Sequence, residues 1–274
     1  MRHSIAFAAL SNTTSAAGIR SCNLVSFAVI ALVRRAMSIA ENISSLANRI
    51  HSAARRAQRN PDHIKLMGVT KTVAPQQIRE AYAAGIRVFG ENRVQEFATK
   101  AEALKDLPDA EWHMIGHLQT NKSSKAAELF AHIDSVDSLR LAQKLNSAAA
   151  ELGKKLAVLI EINIAGESAK SGMAPDSAEL GELLKAAGEL PSLEIRGLMT
   201  VPPYKENPEQ SRPYFRRMRT LFERIASGSF PGVRMEVLSM GMSHDFEIAI
   251  EEGSTCIRVG TAIFGTRPPL GSKP

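Results

Sequence analysis

Cysteine is nearly absent: the 274 residues include only Cys22 and Cys256, far apart and without Cys-x-x-Cys spacing. That pattern argues against a disulfide scaffold or a cysteine zinc site and suits a reducing compartment. Cys256 lies inside an apolar run and is expected as a small core residue. No apolar stretch is long enough to span a bilayer, since Leu24–Val33 is too short. A Gly-x-Gly-x-x-Gly turn and a Walker-type phosphate loop are both missing, which removes two common nucleotide-binding signatures. Acidic side chains are absent until Glu41, although Arg2, Arg20, Arg34 and Arg35 precede it.

The formal net charge of +6 rests largely on that acid-free stretch; without residues 1–36, 30 basic side chains face 28 acidic ones, a net of +2. Basicity is therefore weak evidence for nucleic acid binding, and no nucleic acid or membrane partner is expected. Residues 1–36 superficially suit a transit or signal peptide, yet a regular amphipathic pattern begins only after Met37. The expectation is a leader over 1–36, disordered or from a mis-assigned start, followed by one domain over 37–274. A hydrophobic share of 44% and a charged share of 23% are ordinary for a globular chain. No linker or composition shift divides Met37 from Gly265.

Ile39, Ile43, Leu46, Ile50 and Ala54 recur at helical spacing, and Asn60-Pro61 stops that helix. Strand-like runs then alternate with helical patterns. The predicted strands are Ile64–Val69, Arg87–Gly90, Trp112–Gly116, His132–Val136, Leu156–Ile164, Leu193–Val201, Met235–Ser239 and Thr255–Gly260. The predicted helices between them are Pro75–Ala84, Val94–Leu104, Lys122–Leu129, Leu139–Leu152, Ser177–Leu190, Glu209–Ala226 and Asp245–Glu252. Gly85, Gly153 and Gly253 sit where helices should stop. This count predicts an α/β fold, a single (β/α)8 barrel with an extra N-terminal helix. A doubly wound open sheet is the structural competitor.

A barrel works at the C-terminal ends of its strands. There the sequence offers Lys71, Glu91 and Asn92, His117 to Asn121, Asn163, Met199 and Thr200, Ser239 to Ser243, and Arg258 to Thr261. A single lysine after a strand is ordinarily a solvated surface residue. Lys71 gains weight from its position: it directly ends the first strand, stands beside Thr70 and Thr72, and faces hydroxyl- and glycine-bearing segments at other strand ends. Such a set suits a phosphate-bearing aldehyde: the amine can form a Schiff base, and backbone N–H groups and hydroxyls can take the phosphate. His113 and His117 are four apart, but on a strand and turn without a following Glu this is not the helical zinc pattern, and no metal is expected. The arginines Arg212, Arg216, Arg217, Arg219 and Arg224 read as a solvated helix face.

Seven runs carry a resemblance: Gly68–Lys71, Phe89–Glu96, Trp112–Lys122, Ser168–Gly172, Gly197–Met199, Leu238–Ser243 and Arg258–Gly265. Together they resemble the YggS/PROSC family of pyridoxal-phosphate-binding homeostasis proteins, over roughly Met37 to Gly265. Met114, His244 and Phe246 depart from the usual pattern without touching its core. The resemblance implies a monomeric, cytoplasmic barrel of the fold type III kind, like the N-terminal domain of alanine racemase, with pyridoxal 5′-phosphate on Lys71. It further implies that Ser243, Gly260 and Thr261 hold the phosphate, with Gly241 allowing close approach and Ser239 nearby. Arg258 would face the pyridine nitrogen, and Asn92 and Met199 would line the ring.

A guanidinium only donates hydrogen bonds, so a nitrogen facing Arg258 stays unprotonated and the ring is a poorer electron sink than one paired with a carboxylate. The implied role is intracellular buffering of the cofactor and delivery to apo-enzymes. The alternatives are a racemase-like enzyme, which needs a second acid–base group, and an aldolase-like barrel acting on a sugar phosphate. Tyr82, Tyr204 and Tyr214 are the tyrosines that could supply such a group, and each reads as packing or surface.

Overall fold

A computed structural model describes residues 37–265; the expected leader over 1–36 and the last nine residues, 266–274, lie outside the described residues. The eight strands are β1 Lys65–Val69, β2 Val88–Glu91, β3 Glu111–Met114, β4 His132–Val136, β5 Leu156–Glu161, β6 Leu193–Met199, β7 Val233–Met242 and β8 Cys256–Val259. Each pairs in parallel with the next, and β8 returns to β1, Lys65 to Gly68 lying opposite Cys256 to Val259. The closed barrel excludes the open-sheet competitor. Parallel neighbours need a crossover, and α2 Pro75–Ala83, α3 Val94–Leu104, α4 Ser123–Leu129, α5 Leu139–Glu151, α6 Ala178–Ala186, α7 Arg212–Ala226 and α8 Phe246–Glu251 supply them.

The α1 helix, Ile39–Arg56, opens on a capping box between Ser38 and Glu41. A ninth helix, α9 Thr261–Phe264, follows β8 and was not anticipated from the sequence, because a single turn carries no periodicity. Predicted helix boundaries agree within a few residues, with Pro208–Ser211 and Ala187–Glu189 forming 3-10 turns. Gly85, Gly153 and Gly253 take positive φ, as left-handed helix stops require.

Strand alternation sorts the side chains into two layers. Outward residues such as Phe89, Ile257 and Val259 join the apolar faces of α1 and α2. Met67, Val88 and Cys256 form a small separate cluster within the barrel, and Arg258 shares the parity of Cys256. Most of the hydrophobic burial therefore lies between sheet and helices. Trp112 is stacked on Phe89 at 5.0 Å and tilted against Phe97 at 4.6 Å.

α1 buries Ile43, Leu46, Ile50, Ala53 and Ala54 and packs on α8 and α9. Its polar margin pairs Arg49 with Glu247 at 2.8 Å and Arg56 with Glu251 at 2.7 Å. Asn42 donates to the Ile263 carbonyl at 2.9 Å, and the Arg49 guanidinium lies 4.5 Å over the Phe246 ring. Four arginines of the α7 cluster have acidic partners: Arg212 bonds Glu209, Glu251 and Glu252, Arg216 bonds Glu252, Arg219 bonds Glu223, and Arg224 bonds Asp176.

Burial and surface pairing in α1 differ sharply in weight. Leu46 is 2% exposed, so Leu46→Ala is expected to cost about 2–5 kcal/mol in urea unfolding. Glu247→Gln breaks a partly exposed pair and is expected to cost less than about 1 kcal/mol.

Candidate functional site

Strand β1 ends at Val69, so Lys71 stands in the turn beyond it rather than on the strand itself, and it is exposed. The turn is closed by Val73 N–H donating to the Thr70 carbonyl at 3.0 Å. Thr72 takes φ +59°, an outlier for a β-branched residue, and its N–H donates to Glu96 Oε1 at 2.5 Å. Beneath the turn lies a buried network. Lys100 Nζ donates to the Thr70 carbonyl at 2.9 Å, to Glu91 Oε1 at 3.1 Å and to Glu96 Oε1 at 2.6 Å. Thr70 Oγ1 adds a 2.7 Å bond to Glu91 Oε1. Burial pushes the Glu91 carboxyl above its ordinary pKa, against the pull of Lys100.

The last two βα turns meet directly. The Ala262 N–H, in the first turn of α9, donates to Ser243 Oγ at 3.4 Å, bringing Ser243 beside the Gly260–Thr261 segment. Gly241 takes φ +95°, and a Cβ there would lie 2.5 Å from the Ala249 Cβ and 3.0 Å from the Phe246 Cα. Only glycine lets β7 turn so closely over α8. Buried Asp245 accepts from Met242 N–H at 2.7 Å and fixes the same turn. Because Gly68 lies opposite Val259, the turns at Lys71 and Gly260 leave the barrel from neighbouring strands.

Arg258 is buried inside the barrel, its Nη1 donating to Ser239 Oγ at 2.6 Å and its Nη2 to the Thr200 carbonyl at 2.7 Å. Burial lowers its pKa, and the nearby Cys256, Asp134, Glu161 and Asp245 oppose that effect. A guanidinium has five N–H groups, so these two bonds leave further donors. Buried Met199 lies opposite Ser239 on one side and Glu161 on the other. Asn92 follows β2, half-buried.

Beside this group opens a cavity of about 570 Å³ lined in part by His117, Asp137, Glu161, Asn163, Lys170 and Ser171. Glu161 is buried, accepts from Ser171 Oγ at 3.1 Å and leaves Oε2 without a partner; burial raises its pKa. His117 is bonded to Asp137 at 2.9 Å. The four-apart histidines do not act together, for His113 is instead bonded to Asp134 at 3.0 Å.

The structure thus brings Ser239, Arg258 and Met199 into one cluster and Ser243, Gly260 and Thr261 into another. Sequence reasoning missed Lys100 and Glu161. By spacing, Glu96 and Lys100 are no different from an exposed helix pair; Glu161, closing the apolar run Leu156–Ile160, carried a detectable signal. Tyr82 bonds Asp109 on the outer side, Tyr214 packs against the core, and Tyr204 is 71% exposed beside the His244 ring.

Residues 42–268 match the family model described as alanine racemase, N-terminal domain. A protein of Aquifex aeolicus named pyridoxal phosphate homeostasis protein is 48% identical over 84% of this chain and 99% of its own length. The Escherichia coli K12 protein of the same name is 42% identical over 84% of this chain and 97% of its own. Among solved structures, PipY of Synechococcus elongatus PCC7942 with PLP bound superposes with a TM-score of 0.72 at 40% identity, covering 83% of this chain and 100% of PipY. An alanine racemase of Clostridium difficile 630 shares the fold at a TM-score of 0.61 and 18% identity, and the match covers 57% of that enzyme. On this closed barrel and these matches, the chain belongs to the family of pyridoxal phosphate homeostasis proteins.

Proposed function

We propose that the protein binds pyridoxal 5′-phosphate at the C-terminal mouth of the barrel and serves its homeostasis, acting as a cytoplasmic monomer that buffers the cofactor and hands it to apo-enzymes. The observation that carries the reading is the junction of the last two βα turns, where Ser243 meets the first turn of α9 one strand away from the Lys71 turn. Hydroxyls of Ser243 and Thr261 and backbone N–H groups around Gly260 suit a phosphate dianion, and Gly241 lets the end of β7 that carries Ser243 pack closely on α8. When bound, the cofactor supplies an electrophilic aldehyde that an amine captures reversibly. Lys71 offers that amine, Arg258 a donor for the ring nitrogen, and Asn92 and Met199 walls for the ring. Ser239 orients Arg258.

Racemisation would need a second acid–base group facing the ring. Tyr82 and Tyr214 are engaged elsewhere among the described residues. The similarity to alanine racemase at 18% identity speaks for the fold alone. The homeostasis reading needs no such group.

Purified protein is expected to be yellow. Borohydride reduction followed by peptide mapping should find the added mass on the peptide containing Lys71, and Lys71→Ala should remove the visible absorbance while melting as the cofactor-free parent does. Colourless protein that does not change on adding pyridoxal phosphate, or an adduct on another lysine alone, would overturn the reading. Incubation with L-amino acids should yield no D-isomer above the rate of free pyridoxal phosphate.

Lys100→Met tests how the lysine turn is held. Removing one partner of a buried pair costs about 3–5 kcal/mol, and the side chains of Lys100 and Glu91 are 10% and 0% exposed. A buried carboxyl with a raised pKa destabilises the folded state increasingly as pH rises through that folded value. The loss in urea unfolding should therefore be larger at pH 8 than at pH 5. Cofactor affinity should also fall, because the Thr70–Val73 turn loses its anchor.

A further inference from the structure

The opposite, N-terminal mouth of the barrel holds polar side chains that the cofactor reading leaves unused. His113 on β3 and His132 on β4 lie opposite each other in register, with Glu111 two residues before His113. His113 is 9% exposed and its Nδ1 is bonded to both oxygens of buried Asp134, at 3.1 and 3.0 Å. Its Nε2 is buried with no hydrogen-bond partner, 3.9 Å from Glu111 Oε2. One ligand atom from each of Glu111, His113 and His132 falls within 4.8 Å of the others. His113, His132 and Asp134 line a cavity of about 220 Å³ that also touches Lys65, Val88 and Cys256.

We infer that Glu111, His113 and His132 form a binding site for one divalent transition-metal ion of the Zn²⁺ and Co²⁺ class. Two imidazoles and a carboxylate are a donor set of the borderline kind such ions take. Asp134 supplies the partner that metal-binding histidines commonly have: by accepting the Nδ1 proton it turns the Nε2 lone pair toward the cluster. An ion there would also give the buried Nε2 the partner it lacks. Metal–ligand bonds of about 2.0–2.2 Å require the donors to draw inward. The two histidine rings now stack in parallel, with centroids 4.0 Å apart and planes 5° apart. Face to face they cannot aim both lone pairs at one point, so His132, the less buried ring, must tilt out of the stack to bring its nitrogen onto the ion.

A proton is the rival occupant. Burial would lower the His113 pKa, but Asp134 and Glu111 outweigh it and push the imidazole up to about 9. Lys65, 3.8 Å from Glu111 Oε2, competes for the carboxylate. The ion would tie the starts of β3 and β4 together, a structural rather than catalytic role, at the pole where barrels place stability rather than chemistry.

The test uses full-length untagged protein, stripped with EDTA and titrated with Co²⁺ and then Zn²⁺. About one Co²⁺ per chain is expected, with visible d–d bands that Zn²⁺ displaces and quenching of Trp112, the sole tryptophan. Glu111→Gln and His132→Asn should each weaken binding by roughly ten- to a hundredfold or more, and Asp134→Asn by a similar factor through the His113 ring. Both ligand substitutions lie at less buried positions, so the test does not depend on replacing His113. Lys71→Ala should bind the ion as the parent does, which separates this site from the cofactor reading. No uptake of either ion even at a large molar excess of metal over protein, or unchanged affinity in both ligand variants, overturns the inference.

Discussion

The ammonium of Lys100 is the interaction on which the upper mouth depends. It has three donors and uses each on a different element: the carbonyl after β1, the carboxylate ending β2, and a carboxylate in the first turn of α3. The turn carrying Lys71 is thereby fixed from below, in addition to the bonds that Thr70 Oγ1 gives to Glu91 and Thr72 Oγ1 to the Lys71 carbonyl. Such a pair is costly to desolvate, and its value is geometric rather than stabilising. It also allows Thr72 its unfavourable backbone conformation, since the Thr72 N–H is held by the same Glu96 that accepts from Lys100.

The barrel divides labour between its two layers. The outer layer, where strands meet helices, is apolar and carries the hydrophobic stabilisation. The inner layer also holds buried charge: Arg258 and Glu161 toward one mouth, His113 and Asp134 toward the other. Substitutions on the outer face therefore act on folding, and substitutions on the inner face act on what each mouth can hold. Lys100 reaches from helix α3 to the carboxylate that ends β2 and so serves the mouth from the outer layer.

Much of this was legible in the chain. Alternating apolar runs and helical stripes give the barrel because both signals are local, and α3 was read to the residue. The groups around Ser243 and Arg258 were legible as polar and small residues following strands. What escaped was whatever depends on distant partners. Lys100 four residues after Glu96 is indistinguishable by spacing from a solvated pair. His113 pairs across strands with His132 and Asp134, a relation fixed only by register. Helix α9 escaped because one turn shows no period.

Barrel closure orders events during synthesis. Lys71 follows the first strand, whereas Ser243 and Gly260 follow the seventh and eighth, and the first and last strands become neighbours only when Lys65 to Gly68 line up with Cys256 to Val259. On the proposed reading, a nascent chain lacking its final strand would have the amine but no seat for the phosphate. Vitamin capture would then report that the last strand has joined the first and the barrel has closed.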